Sequence, residues 1–138
     1  MNIQEKQNAI IEEFSVFDDW MDKYAYIVDL GNELEALTEE EKSDDNLISG
    51  CQSQVWIVAD LVDGKMHFKA DSDAIITKGI ASLLIKAVEG ETPADIVDSE
   101  FFFIEKIGLH QHLSPTRSNG LLSMVKRMRA YAIAYNSK

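Results

Sequence analysis

At 138 residues the chain is long enough for one domain with a real core, and 46% apolar against 27% charged residues is the balance of a globular protein. Its formal charge of −11, from 13 basic and 24 acidic side chains, argues against nucleic acid or an anionic membrane as a general partner. No apolar run approaches the ~20 residues of a membrane span, and the opening MNIQEKQNAIIEEF lacks the basic and apolar regions of a signal peptide. With a single unpaired cysteine, this predicts one cytoplasmic domain over 1–138. The charge is polarised along the chain. Residues 1–50 hold 14 acids against Lys6, Lys23 and Lys42, whereas 116–138 hold Arg117, Lys126, Arg127, Arg129 and Lys138 with no acid. That asymmetry reads either as a basic last helix lying near the acidic first half or as a docking face for a protein partner.

Ile10, Ile11 and Phe14 share one side of a first helix. Phe17, Trp20, Met21, Tyr24 and Val28 repeat at helical spacing through a second, with Ser15 and Asp18 as its capping pair and Gly31 as its stop. Residues 32–46 are polar, acidic and weakly periodic and read as a mobile connection, although Thr38 and Glu41 can cap one helical turn. From Gln54 to Val62 the period changes to two. Val55, Ile57, Ala59 and Leu61 share a face, and Asp63-Gly64 is a two-residue hairpin turn. The turn fixes the register: Leu61 opposite Met66, Ala59 opposite Phe68, and Asp60 opposite His67, which reads as a surface pair member. A third short strand is expected at 46–49.

Ser72 and Asp73 can cap a helix with Ile76, Ile80, Leu83, Leu84 and Ala87 as its buried stripe, Gly79 marking a close approach and Gly90 its end. Thr92-Pro93 opens a short helix and Ser99 another, carrying Phe102, Phe103 and Ile107 up to Gly108; the aromatic run 101–103 reads as core. After a loop from Leu109 to Ser114, Pro115 starts the last helix, with Leu121, Val125, Met128 and Ala132 inward. Helices before and after a single hairpin define an α+β domain, helices on one face of a small, about three-stranded antiparallel sheet.

Cys51 is the chemical focus, because one thiol makes neither an internal disulfide nor an all-thiolate metal site. It is a nucleophile, a sulfur carrier or inert filler. Gly50 frees the backbone beside it, Gln52 and Gln54 can shape its loop through hydrogen bonds, and strand parity puts it on the side of Val55 and Ile57. A thiol sheltered in one state and exposed in another would suit a carrier. A cysteine–histidine hydrolase using His110 or His112 has no support in the spacing, and His110-Gln111-His112 reads as loop packing before a metal site. The glycines follow neither nucleotide-binding pattern, and no lysine stands out for pyridoxal phosphate.

The segments GCQSQVW at 50–56, DSDAIITKG at 71–79 and HLSPTRSNGL at 112–121, with TPADIV at 92–97 between them, resemble the signature segments of the SufE family, in order and over nearly the whole chain. The close relative CsdE shares much of this pattern. The resemblance implies an IscU-like fold without that scaffold's three ligand cysteines. It implies that Cys51 accepts sulfur from the persulfide of a cysteine desulfurase, of SufS or CsdA type, stimulates that enzyme, and delivers sulfur to the SufBCD machinery. The pyridoxal phosphate belongs to the desulfurase, so no cofactor is expected on this chain, nor independent turnover; a contact-only adaptor and a homodimer stay open. Among the matched positions, Arg117 would stabilise thiolate or persulfide, contact the partner, or form a structural ion pair. Asp73 would cap its helix, face the partner, or both, with capping favoured, and Gly50, Gln52 and Gln54 would form the thiol's setting.

Overall fold

A computed structural model describes residues 2–48 and 53–137, the side chain of His110 excepted. Helix α1 (Ile3–Ser15) begins at a reciprocal capping box, Asn2 accepting from the Glu5 amide at 2.8 Å and donating its own amide to Glu5 at 3.1 Å. It buries Ile10 and Phe14. Helix α2 (Trp20–Asn32) starts later than the Ser15–Asp18 pair suggests. Ser15 completes α1, bonding back to the Glu12 carbonyl, and Asp19 caps α2 through the Asp22 amide. Nor does Gly31 end α2; it lies inside the helix against Gly79, which lets the two backbones meet. The buried face is consequently Ile27, Leu30 and Gly31, while Met21 is 82% exposed.

The stretch expected to be mobile is tied down. Thr38 and Glu41 exchange backbone–side-chain bonds, Leu37 is buried, and Asn46 donates to the Glu41 carbonyl. Glu41 also pairs with Lys69, and Lys42 reaches Asp71. Strands β1 (Val55–Val62) and β2 (Lys65–Ser72) form the hairpin in the register the turn demands, Leu61 opposite Met66 and Ala59 opposite Phe68. Asp63 and Gly64 both take positive φ, 53° and 78°, as a primed turn requires. Asp60 lies opposite His67, but the imidazole pairs with Glu89 at the end of the next helix. The sheet has two strands among the described residues. Leu47 makes only an isolated bridge to Trp56, with one bond from the Ile48 amide to the Val55 carbonyl, because a single rung does not make a strand.

Helix α3 (Ile75–Val88) lies across the hairpin with Ile76, Ile80, Leu83, Leu84 and Ala87 buried. Its N-cap position is Ala74, without a side-chain cap, so Asp73 does not cap it. After Gly90 (φ 79°) the chain returns to the β2 edge, where the Met66 amide and carbonyl bond Glu91 and Gly90. Thr92 caps α4 (Pro93–Asp98) through the Asp95 amide. Helix α5 (Phe103–Lys106) follows at Phe103 and not at Ser99, and within the aromatic run only Phe103 is fully buried. The expected loop instead holds the short helix α6 (Leu109–His112), after which Ser114 caps the long α7 (Pro115–Asn136). On α7 the inward residues are Leu121, Met124, Met128 and Ala132, with Val125 half-buried. The resulting α+β body packs its helices on one face of the hairpin, around Phe14, Ile27, Ile57, Leu84, Phe103 and Leu121. Among the described residues no helix is long and apolar enough to cross a membrane.

Asp71 joins β2, α3 and the acidic connection, with Lys42 and Lys78 at 3.4 and 3.5 Å. Burial raises its carboxyl, but the Ser72 amide, Lys78 and Lys42 outweigh that and hold it below the ordinary carboxylate range. A depressed carboxyl stabilises the fold above its unfolded-state value and loses that contribution as pH falls through the folded-state value. Asp71→Asn is therefore expected to cost about 1–2 kcal/mol at pH 7, a deficit that shrinks as pH drops below about 4. Urea titrations at a series of pH values read the difference directly.

Candidate functional site

Cys51, with Gly50 and Gln52, lies outside the described residues; the structure defines what surrounds the ends of that segment. On the entering side, the Ile48 amide is held by the Val55 carbonyl at 2.8 Å. On the leaving side, Gln54 is clasped: its amide donates to Asp73 Oδ1 at 3.0 Å, and its carbonyl accepts from the Asp73 amide at 3.2 Å and Ser72 Oγ at 2.8 Å. Asp73 thus acts on the backbone leading out of the thiol segment, and Ser72 Oγ in turn accepts from the Ala74 amide at 3.1 Å. Both roles follow from the tight turn between β2 and α3, which points two short polar side chains back at the start of β1. Asp73→Ala is expected to cost about 1 kcal/mol in chemical denaturation and to speed exchange of the Gln54 amide.

Next to this clasp is a cavity of about 350 Å³. Three separate stretches build it: Ser53 before β1; Ala74, Thr77 and Ile80 at the start of α3; and Ser114, Thr116, Arg117, Gly120 and Met124 along the first turns of α7. Hydroxyls and one guanidinium form its polar side, and Ile80 and Met124 its apolar side. Arg117 stays at the cavity because Ser114 caps α7 through the Arg117 amide at 3.3 Å, fixing the helix start. Its side chain is exposed, and among the described residues no carboxylate pairs with it. A cation at a helix N-terminus, with hydroxyl donors around it, favours a negatively charged group such as a thiolate.

The structure brings Arg117 and Ser53 to one cavity; Gln54 and Asp73 do not line it but follow Ser53 and precede Ala74, which do. It keeps His67 and His112 elsewhere, and the His110 side chain lies outside the described residues. The His112 ring stacks on Trp20 at 4.0 Å, its Nδ1 bonds the Gly108 carbonyl, and its own carbonyl accepts from Tyr24. Among the described residues no cluster of three or more His, Cys, Asp or Glu side chains is placed to hold a metal ion. The sequence alone does not mark Thr77, Ser114, Thr116, Gly120 and Met124 as site residues, although all but Met124 fall inside the motif segments.

Fold and cavity together define a small α+β protein whose lone-cysteine segment adjoins, in sequence, a polar-rimmed pocket. The family described as SufE, Fe-S metabolism associated domain, matches residues 8–132. A SufE-like protein of Rhizobium etli is 42% identical over 130 residues, covering 91% of this chain and 88% of its own. One of Synechocystis is 42% identical over 126 residues, covering 91% and 79%. A solution structure of a hypothetical protein from Thermus thermophilus shares the fold at a TM-score of 0.80, with 20% identity over 96% of this chain and 97% of that one. The chain belongs to the SufE family, which is linked to iron–sulfur metabolism.

Proposed function

We propose that the chain is a cytoplasmic sulfur acceptor: Cys51 takes sulfane sulfur from the persulfide of a pyridoxal-phosphate cysteine desulfurase, of SufS or CsdA type, and passes it to the SufBCD machinery for cluster assembly. The observation that carries this reading is the cavity that joins Ser53 to Arg117. Cys51 is two residues from Ser53, a reach of at most about 7 Å, so its tether ends at a pocket with a cation, hydroxyl donors and a soft thioether.

In the transfer, the Cys51 thiolate attacks the outer sulfur of the donor persulfide. One S–S bond forms as the other breaks, the donor cysteine leaves as a thiolate, and the proton stays with the transferred sulfur. No external oxidant or reductant is required. Arg117 favours the attacking thiolate, and it favours the persulfide's anion once that sulfur has released its proton to solvent. A single cysteine protects that product, because a second thiol in the chain could attack it and expel sulfide.

The experiment is a burst measurement with a desulfurase, cysteine and no reductant. A carrier predicts alanine formed rapidly in an amount that rises in step with the concentration of this chain. A faster steady rate without a proportional burst would instead identify a contact-only activator.

A further inference from the structure

Helix α7 both walls the cavity and grips the backbone that leads into the thiol segment. Arg127 Nη1 donates to the Asp45 carbonyl at 3.1 Å and Nη2 to the Leu47 carbonyl at 3.0 Å, 82 and 80 positions away in sequence. Among the described residues no carboxylate pairs with Arg127; both outer nitrogens serve the protein's own main chain. One turn on, the Tyr131 hydroxyl donates to the Ile57 carbonyl on β1 at 2.8 Å, and the guanidinium lies over the Tyr131 ring at 5.8 Å. The entering backbone and the leaving strand are therefore fastened to the same helix face, and the Ile48 amide closes them together on Val55. Arg117 precedes Arg127 by ten helical residues, about 15 Å of rigid rise. Cavity and anchor thus keep a fixed spacing.

We propose that Arg127 is a positioning residue for sulfur transfer: its fork fixes the carbonyls of Asp45 and Leu47, and so holds the upstream end of the Cys51 segment in register with the Arg117 cavity. The proposal rests on the sulfur-acceptor reading for its consequence, though its geometry does not. It replaces the view of this arginine as a surface charge for docking. A planar guanidinium can bond two carbonyls at once, whereas an ammonium is a single point donor, so lysine retains the charge without the two-point grip.

The test compares wild type with Arg127→Met and Arg127→Lys in three readouts: amide exchange of Ile48, alkylation of Cys51 by iodoacetamide, and single-turnover arrival of sulfur on Cys51 from a desulfurase charged with cysteine. In Arg127→Met, Ile48 exchange is expected to rise about tenfold while Leu84 exchange is unchanged. The Cys51 alkylation rate changes with it. Sulfur arrival slows about tenfold at desulfurase affinity held within about twofold, and Arg127→Lys falls between the two. Unchanged Ile48 exchange would overturn the proposal, as would a uniform rise across the α3 core. Loss of affinity at low salt, restored in full by lysine, would return Arg127 to a docking role and overturn it too. If wild type takes up no sulfur, the acceptor reading falls on its own, and the anchor is judged by exchange and alkylation, which need no partner.

Discussion

Cys51→Ser is expected to reduce sulfur uptake from a charged desulfurase to below about one-hundredth of wild type, while binding to the desulfurase and the unfolding midpoint are retained. Serine differs by one atom, but its hydroxyl is hardly ionised near pH 7 and has nothing like the nucleophilicity of a thiolate toward sulfur. With no second cysteine in the chain, no neighbour can take over. The Arg117 cavity stays in place in the variant, so any effect that depends only on surface contact survives it. Desulfurase stimulation therefore separates the two mechanisms: it disappears in the serine variant if the chain carries sulfur, and it persists undiminished if the chain acts by contact alone. Retained affinity, measured in the same samples, ensures that lost stimulation is lost chemistry and not lost docking.

The largest effect on stability is expected at Gly79→Ala. A Cβ on Gly79 would sit 2.2 Å from the Ile27 carbonyl oxygen and 2.6 Å from Ile27 Cγ2, and one on Gly31 would sit 2.7 Å from the Gly79 nitrogen. The obstructing atoms are mostly main chain, so no rotamer change relieves them; α2 and α3 must move apart and loosen the contacts of Ile27, Ile80 and Leu83. Alanine gains about 1 kcal/mol of helix propensity over glycine, but the overpacking outweighs it, for a net loss of about 3 kcal/mol. A chain of this size should then melt about 10 °C lower. Gly90→Ala supplies the contrast: φ is +79° with nothing within 4 Å of the new carbon, so only the left-handed backbone penalty of about 1 kcal/mol applies. Equal midpoints for wild type and Gly79→Ala would contradict the close crossing of α2 and α3.

The same glycines show how much of the fold can be read from sequence. Gly79 signals a close approach because a glycine in the middle of a strongly apolar helix has no local purpose. Its partner is not legible, and Gly31, followed by polar residues, reads equally well as a helix stop. The hairpin is fully legible, register included, because Asp63-Gly64 permits one turn geometry and that turn sets every pairing. Helix starts are less so: Ser15 and Asp18 read as the capping pair, whereas the cap is Asp19, which accepts from the Asp22 amide. For the third strand, pattern and outcome differ by one rung of hydrogen bonding at Leu47 and Ile48.

At the site, the motif segments around Cys51, Asp73 and Arg117 point to the right parts of the chain but not to their relations. That Asp73 bonds the Gln54 backbone and leaves α3 uncapped depends on β2 returning beside the start of β1. Arg127 looks like a free surface charge in sequence, since its partners are main-chain carbonyls about 80 positions away, which carry no compositional mark.

The measurement that tests the central claim most directly is the intact mass of the wild-type chain after incubation with a cysteine desulfurase and cysteine, before and after reductant. Sulfur carriage predicts a gain of about 32 Da on the peptide containing Cys51, removed by reduction. An unchanged mass in a sample whose desulfurase is nonetheless accelerated would contradict it.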